Sequence, residues 1–273
     1  MSSRLHVSLG TRNGATFMRD CFCTQPFKVI DITENANAGT AQLMLMSSSP
    51  GILDTDRYFM NFELDEHSSI ELKTQAYQRI FKMNTGASQE LIVRMQKGSS
   101  FIFLPHPCVP HESSIFSSLN QFYLSNDCLL IWGEVLTCGR KLNGEIFRLS
   151  RYHSVSEVFL NGKLIIRENL LVDPSLINPV FLGQLEGYTH QSSLLCMGHF
   201  SSDGVVESIH ELVSLQEEIS FGLSMVPGGI IVRLMGYKAE QLHNILVLIG
   251  TLLKNTIAPR QTNPDHQPVS SAM

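Results

Sequence analysis

The chain is short of charge. Lys, Arg, Asp and Glu make up 16% of its 273 residues, against about 25% in an ordinary soluble domain. That shortage predicts a fold buried on several faces, or a surface covered by partners. The net charge is −5 and there is no long basic block, which excludes an evident nucleic-acid binder. Long apolar runs are also lacking. Residues 245–249 form an uninterrupted stretch far below the ~20 needed to cross a bilayer. The first residues, Met1-Ser2-Ser3-Arg4-Leu5-His6, carry no apolar core of a signal peptide, so the expectation is a soluble, cytoplasmic protein without a membrane or nucleic-acid partner. In that compartment the six cysteines are expected as free thiols.

Catalytic signatures are missing too. There is no G-x-S-x-G, no phosphate-binding glycine loop, no G-x-G-x-x-G and no H-E-x-x-H. Trp132 is the single tryptophan. It lies in a strand that reads as buried, which disfavours a carbohydrate-binding module with an exposed aromatic platform.

What is there is a succession of short strands. Residues 41–46, 58–64, 69–74, 91–95, 100–104, 128–136, 145–149, 156–160 and 163–166 read as strands, several alternating at period two. Between them lie turn signals: Ser49-Pro50-Gly51, Gln96-Lys97-Gly98, Leu142-Asn143-Gly144 and, most clearly a hairpin, Asn161-Gly162. Such spacing predicts a mainly β fold, a layered β-helix-like or sandwich arrangement. After residue 201 the period changes. Helices are predicted near 204–219 and 238–257, flanking strands around Pro227-Gly228-Gly229. One domain over 1–258 is expected, with Pro259 ending the second helix and a polar, disordered tail over 259–273.

The stretch from 103 to 140 carries most of the functional information. Pro105, Pro107 and Pro110 cannot sit in a helix or a central strand, so they mark a corner. Farther on, Glu134 stands in the apolar run 129–136, with Gly133 read as leaving room beside it. A buried carboxylate is costly unless paired or used, and the simplest expectation is a pair with Arg140, six residues on, or with another cation. His106, Cys108 and His111 are weak metal-ligand candidates, because the intervening prolines point them in different directions. Cys21 and Cys23 would share one face of a strand, where a thiophilic ion could bridge them. Asp54 and Asp56 follow a turn, where Asp is usually turn chemistry. Tyr188-Thr189-His190, with His199, offers polar groups near Cys196 without the spacing of a nucleophile and its base.

Set in order, these segments resemble the urease accessory protein family of the UreD/UreH type. The matching stretches are Ser49-Pro50-Gly51 with Asp56, Thr74-Gln75-Ala76, the proline corner from Phe103 to Pro110, and Glu134 followed by Gly139-Arg140. Gly144-Glu145-x-Phe147, residues 167–174 and Gly187-Tyr188-Thr189-His190 complete the set. The chain departs from the family pattern at Ile52 and Thr55, where glycines are usual, and at His111, where an aromatic is common. The resemblance implies a non-enzymatic scaffold with no tightly bound cofactor that acts in nickel insertion into apo-urease. It further implies a UreF-like accessory protein as direct partner, a UreG-like GTPase reached through it, and apo-urease subunits. It also implies a wet internal passage for transient nickel, for which Asp56, Gln75, Glu134 and Arg140 are the candidate polar residues. The alternative from another class is a metal-dependent hydrolase on a β scaffold, using the His106–His111 loop and Asp56.

Overall fold

The computed structural model describes residues 2–35, 39–198 and 202–257; the expectations about Pro259, the tail and His199 lie outside these. In chain order the strands are β1 (Ser2–Arg12), β2 (Ala15–Cys23), β3 (Phe27–Asp31), β4 (Thr40–Ser47), β5 (Arg57–Leu64) and β6 (Ser69–Gln75). They continue with β7 (Gln78–Ile80), β8 (Ala87–Met95), β9 (Ser100–Phe103), β10 (Cys108–Pro110), β11 (Ile115–Leu124) and β12 (Leu129–Thr137). The last are β13 (Arg151–Leu160), β14 (Lys163–Val172), β15 (His190–Met197), then helix α1 (Ser202–Ser214), β16 (Ser220–Val226), β17 (Gly229–Gly236) and helix α2 (Ala239–Ile257).

The chain winds as a parallel coil. Successive turns place one strand in each of two sheets, so β1, β5, β8, β11 and β13 pair in parallel in the first. In the second, β4, β6, β9 and β12 do the same. Antiparallel hairpins close both ends: β1–β2 and β3–β4 at the start, β13–β14 and β15–β17–β16 at the finish. This is the β-helix-like architecture expected. The Asn161-Gly162 turn has positive φ at both residues, 50° and 80°, as a two-residue hairpin requires.

A third, much shorter line of strands forms at one corner. Ile52 bridges to Ile80 of β7, and β7 pairs with β10, whose Cys108 also meets Leu136 of β12. The proline segment builds this corner. Gly51 is required there, because a Cβ would lie 2.4 Å from the Arg79 carbonyl oxygen.

Between the sheets lies a core of large side chains. Phe62, Phe101 and Phe122 are wholly buried, and Trp132 lies 5.4 Å from both Phe122 and Phe103, ring centre to ring centre. The outer face of the second sheet is covered instead by the two helices. Val205, Ile209 and Val213 of α1 and Leu242, Ile245, Leu246, Ile249 and Leu253 of α2 pack there against Ile131, Leu194 and Val232. The spacing of three and four residues is what makes these helices amphipathic.

Two local expectations fail. The first helix ends at Ser214 rather than near 219, because Ser220 must already pair with Met235 in the β16–β17 hairpin. Residues 145–149 are not a strand. Phe147 has φ 50°, incompatible with extended backbone, and its amide donates to the Cys138 carbonyl at 2.7 Å.

Candidate functional site

Side-chain alternation along β12 decides where its acid points. Leu130, Trp132 and Leu136 face the space between the sheets, while Leu129, Ile131 and Val135 face the helices. Glu134 therefore points between the sheets. Gly133 points the other way, so it does not make room for the acid. Its Cβ would lie 2.6 Å from Leu104 and 3.3 Å from Leu246, so the glycine admits Leu104 and α2 to the sheet.

Glu134 opens into a cavity of about 500 Å³ between the sheets and the proline corner. Tyr58, Gln75, His106, Cys108, Trp132 and Tyr152 are among its walls. The Ser154 hydroxyl donates to Glu134 Oε1 at 2.8 Å, and Ser118 donates to Ser154 at 2.9 Å. Among the described residues no cation pairs with Glu134. Burial pushes its pKa up to about 7; Glu168 adds to the rise and the Ser154 hydrogen bond opposes it. The carboxyl is surrounded by protein yet keeps surface open to the cavity, so it can exchange protons near neutral pH. Burial, then the Glu134 carboxyl, pushes the Cys108 thiol up; a hydrogen bond with Tyr152 opposes this. The Tyr152 phenol is raised by burial, Cys108 and Glu134. Neither is a nucleophile at neutral pH.

The other sequence candidates are spread out. Gln75 is exposed on the cavity rim. Asp56 is buried, and its Oδ2 accepts the Leu53 amide at 2.9 Å and the Tyr58 hydroxyl at 3.2 Å; of these partners Tyr58 lines the cavity. Asp54 caps the loop 84–86, whose amides hold its carboxyl below its usual range. Arg140 is not the partner of Glu134. Its guanidinium makes a two-pronged pair with Glu145, because Gly139, at φ 117°, turns the chain away from β12. His111 is buried edge-on against Phe81 at 4.8 Å, outside the cavity, with its pKa lowered by burial and then Arg140. Cys21 and Cys23 lie opposite Val7 and Leu5 on the edge strand β2, so they share a face, as expected, but far from Glu134 in the fold. His190 hydrogen-bonds its neighbour Thr189 at 2.8 Å, and burial followed by Lys141 drives its pKa to about 4. Cys196 is at the other end of β15, packed under the helices.

Among the described residues no group of three His, Cys, Asp or Glu side chains is arranged to hold an ion. His106, His111 and Asp56 do not converge, which removes the support for a hydrolase. Nor, among the described residues, is any helix long and apolar enough to cross a membrane.

A family model described as UreD urease accessory protein matches residues 1–267. The chain belongs to the UreD family. It is 43% identical to the urease accessory protein UreD of Flavobacterium johnsoniae over 249 residues, 89% of each chain. It is 33% identical to the UreD of Acetivibrio thermocellus, covering 92% of this chain and 97% of that one. For the UreD of Haemophilus influenzae strain 86-028NP the identity is 32%, over 93% and 100%. As a UreD-family member the protein has a role in urease maturation and is an accessory protein, not an enzyme.

Sequence reasoning missed several wall residues of this UreD-family cavity. Of these, Tyr152 lines the cavity, and it recurs at period two with Ser154 and Ser156 along β13, so a polar stripe facing the interior was visible in principle. His243 on α2 carries no such signal. It stacks on His106 at 4.9 Å, a contact across 137 residues of chain.

Proposed function

We propose that this protein is a cytoplasmic scaffold for nickel insertion into apo-urease. It works in a complex with a UreF-like accessory protein and, through it, a UreG-like GTPase. No cofactor stays bound. The cavity is part of the route by which nickel reaches the urease subunits, and this chain performs no chemistry on the ion. The observation that carries the reading is Glu134, a carboxyl without a cationic partner among the described residues, aimed into a cavity of about 500 Å³. Oxygen donors that water can replace suit transit, whereas a closed cage of thiolate and imidazole would retain the ion. Gln75 on the rim and Glu134 within fit that requirement. Asp56 and Arg140 have structural partners and do not line the cavity.

The test pairs two measurements on Glu134→Ala. Because only the Ser154 hydroxyl loses a partner, and cavity water can replace it, the loss of stability should stay under about 1.5 kcal/mol. Urease matured with the variant should hold less nickel than urease matured with the parent chain. Normal nickel content with unchanged melting would end the transit reading. A tagged pull-down should bring UreF-like and urease chains with it; an isolated, monodisperse monomer without those chains would count against the complex.

A further inference from the structure

The two long sheets have four edge strands, β2 and β14 in one and β3 and β16 in the other. An open edge presents a row of free amides and carbonyls, and proteins usually blunt it with charge, proline, a bulge or brevity. Three of these edges are blunted. β2 carries Arg19 and Asp20, and its register with β1 breaks between Ser8 and Leu9. β14 carries Lys163, Arg167 and Glu168, and its register with β13 breaks between Val158 and Phe159. β3 is only five residues long and holds Lys28 and Asp31. β16 is different. Its sequence, Ser220-Phe221-Gly222-Leu223-Ser224-Met225-Val226, has no charge and no proline, and it pairs with β17 without a break. Gly222, Ser224 and Met225 are exposed.

This free edge matches itself. Val226 and Gly229 close the two-residue turn at Pro227-Gly228 as a hydrogen-bonded pair, and such pairs alternate along an antiparallel ladder. Ser220, Gly222, Ser224 and Val226 therefore bond to β17, while the amides and carbonyls of Phe221, Leu223 and Met225 point outward. Among the described residues no backbone group of those three takes another backbone partner. The three are evenly spaced about Leu223. A second β16, antiparallel with Leu223 opposite Leu223, sets Phe221 opposite Met225 on both sides, so every outward amide meets an outward carbonyl. The side chains agree. Phe221 and Leu223 are half-buried against the apolar layer under the helices, and Met225, 50% exposed, shares their face. Across the seam each Met225 would cover the partner's Phe221. Glu217 and Glu218 would fall opposite the uncharged turn 227–229 of the other copy, so no like charges face each other.

We propose that β16 is a self-pairing edge: two copies of this chain join through it, antiparallel about a two-fold axis at Leu223, into one continuous sheet. A two-fold contact of this kind closes on itself, leaving no free β16 to recruit a third copy. One strand edge of seven residues buries less than the ~800 Å² per partner of a standard interface, so the dimer is weak and depends on concentration. The transit reading plays no part in it.

The full-length chain alone, under reducing conditions, is followed by sedimentation equilibrium up to about 200 µM, a range that reveals weak association. The average mass should rise from one chain toward two and go no higher. Met225→Lys puts a charge on the seam at a side chain exposed in the monomer. It should raise the dissociation constant about tenfold or more and leave the melting temperature unchanged. Ser224→Lys, also at an exposed position, should do the same, so a folding defect in one variant leaves the other to decide. Leu248→Lys, at an exposed apolar position on α2, should leave the dimer intact. Leu223→Cys, with the exposed Cys23 replaced by Ser, should give a disulfide-linked dimer on oxidation, because residues opposite in a hydrogen-bonded pair have Cα atoms about 5.5 Å apart. A dimer that this cysteine fails to link overturns the register. A chain that stays monomeric, a mass beyond two chains, or a dimer lost with Leu248→Lys but not with Met225→Lys overturns the proposal. If the chain alone is monomeric and Met225→Lys instead abolishes recovery of the UreF-like chain in the tagged pull-down, the edge belongs to a partner's strand and self-pairing falls.

Discussion

The space between the two sheets is dry at one end and hollow at the other. In the dry part, Phe62, Phe101 and Phe122 touch one another through rings 5.5–6.5 Å apart, at the close packing usual for protein interiors. In the hollow part β11, β12 and β13 supply Ser118, Glu134 and Tyr152. Trp132 and Phe103 belong to both, packed in the aromatic core and lining the cavity. A step of two residues along β12, from Trp132 to Glu134, crosses from one regime to the other. The difference is not one of fold, because strand pairing runs through both parts. It lies in the residues placed at inward positions. The dry end supports the coil, and the hollow end is left free for something other than stability.

If that division is right, substitutions at the two ends must behave differently. The largest effect is expected at the dry end. Phe101→Ala should destabilise the protein by about 3–5 kcal/mol, measured by chemical denaturation; a loss below about 1 kcal/mol would mean that the aromatic cluster is not close-packed.

The hollow end should report through pH. Glu134 has its folded pKa raised to about 7 from 4.5, so the folded state binds the proton more tightly than the unfolded one. Its contribution is therefore fully present below about 4.5 and lost as pH rises through about 7. Glu134→Gln, which cannot titrate, should remove that part of the decline. Denaturation at a series of pH values tests it, and parallel curves for parent and variant would place Glu134 in water rather than in protein.

The smallest effect belongs to neither end. Arg140 is 43% exposed in its pair with Glu145, so solvent screens the pair and Arg140→Ala should leave stability nearly unchanged. A loss of about 3–5 kcal/mol in thermal or chemical denaturation would indicate a buried partner instead.

Much of this was legible in the chain. The prolines at 105, 107 and 110 announced a corner, Asn161-Gly162 a hairpin, and the apolar period over 238–257 the helix that the structure places at Ala239–Ile257. Those signals are local. The parallel stacking of coils was not legible, because register between strands such as β5 and β8 is set by contacts some thirty residues apart rather than by either strand alone. For the same reason Glu134 could be read as a buried acid in an apolar strand, but the expected pair with Arg140 does not form. Arg140 is near it in sequence, and only the turn at Gly139 shows that the guanidinium goes to Glu145. Gly133 was misread because its reason, Leu104, comes from another coil. His243 is separated from His106 by most of the second half of the chain, and no spacing rule reaches that far.

Leu104 has one further consequence. A Cβ on Gly133 or on Gly250 would each come within 2.6 Å of its side chain, so Leu104 acts as a key seated between a slot in the sheet and a slot in α2. Sliding the helix by one residue would advance it about 1.5 Å and turn it by about 100°, bringing a side chain where Gly250 now gives way. The helix is therefore indexed to a single position along the sheet. Since the next residues after the key, Pro105 and His106, line the cavity, that same notch positions part of its wall.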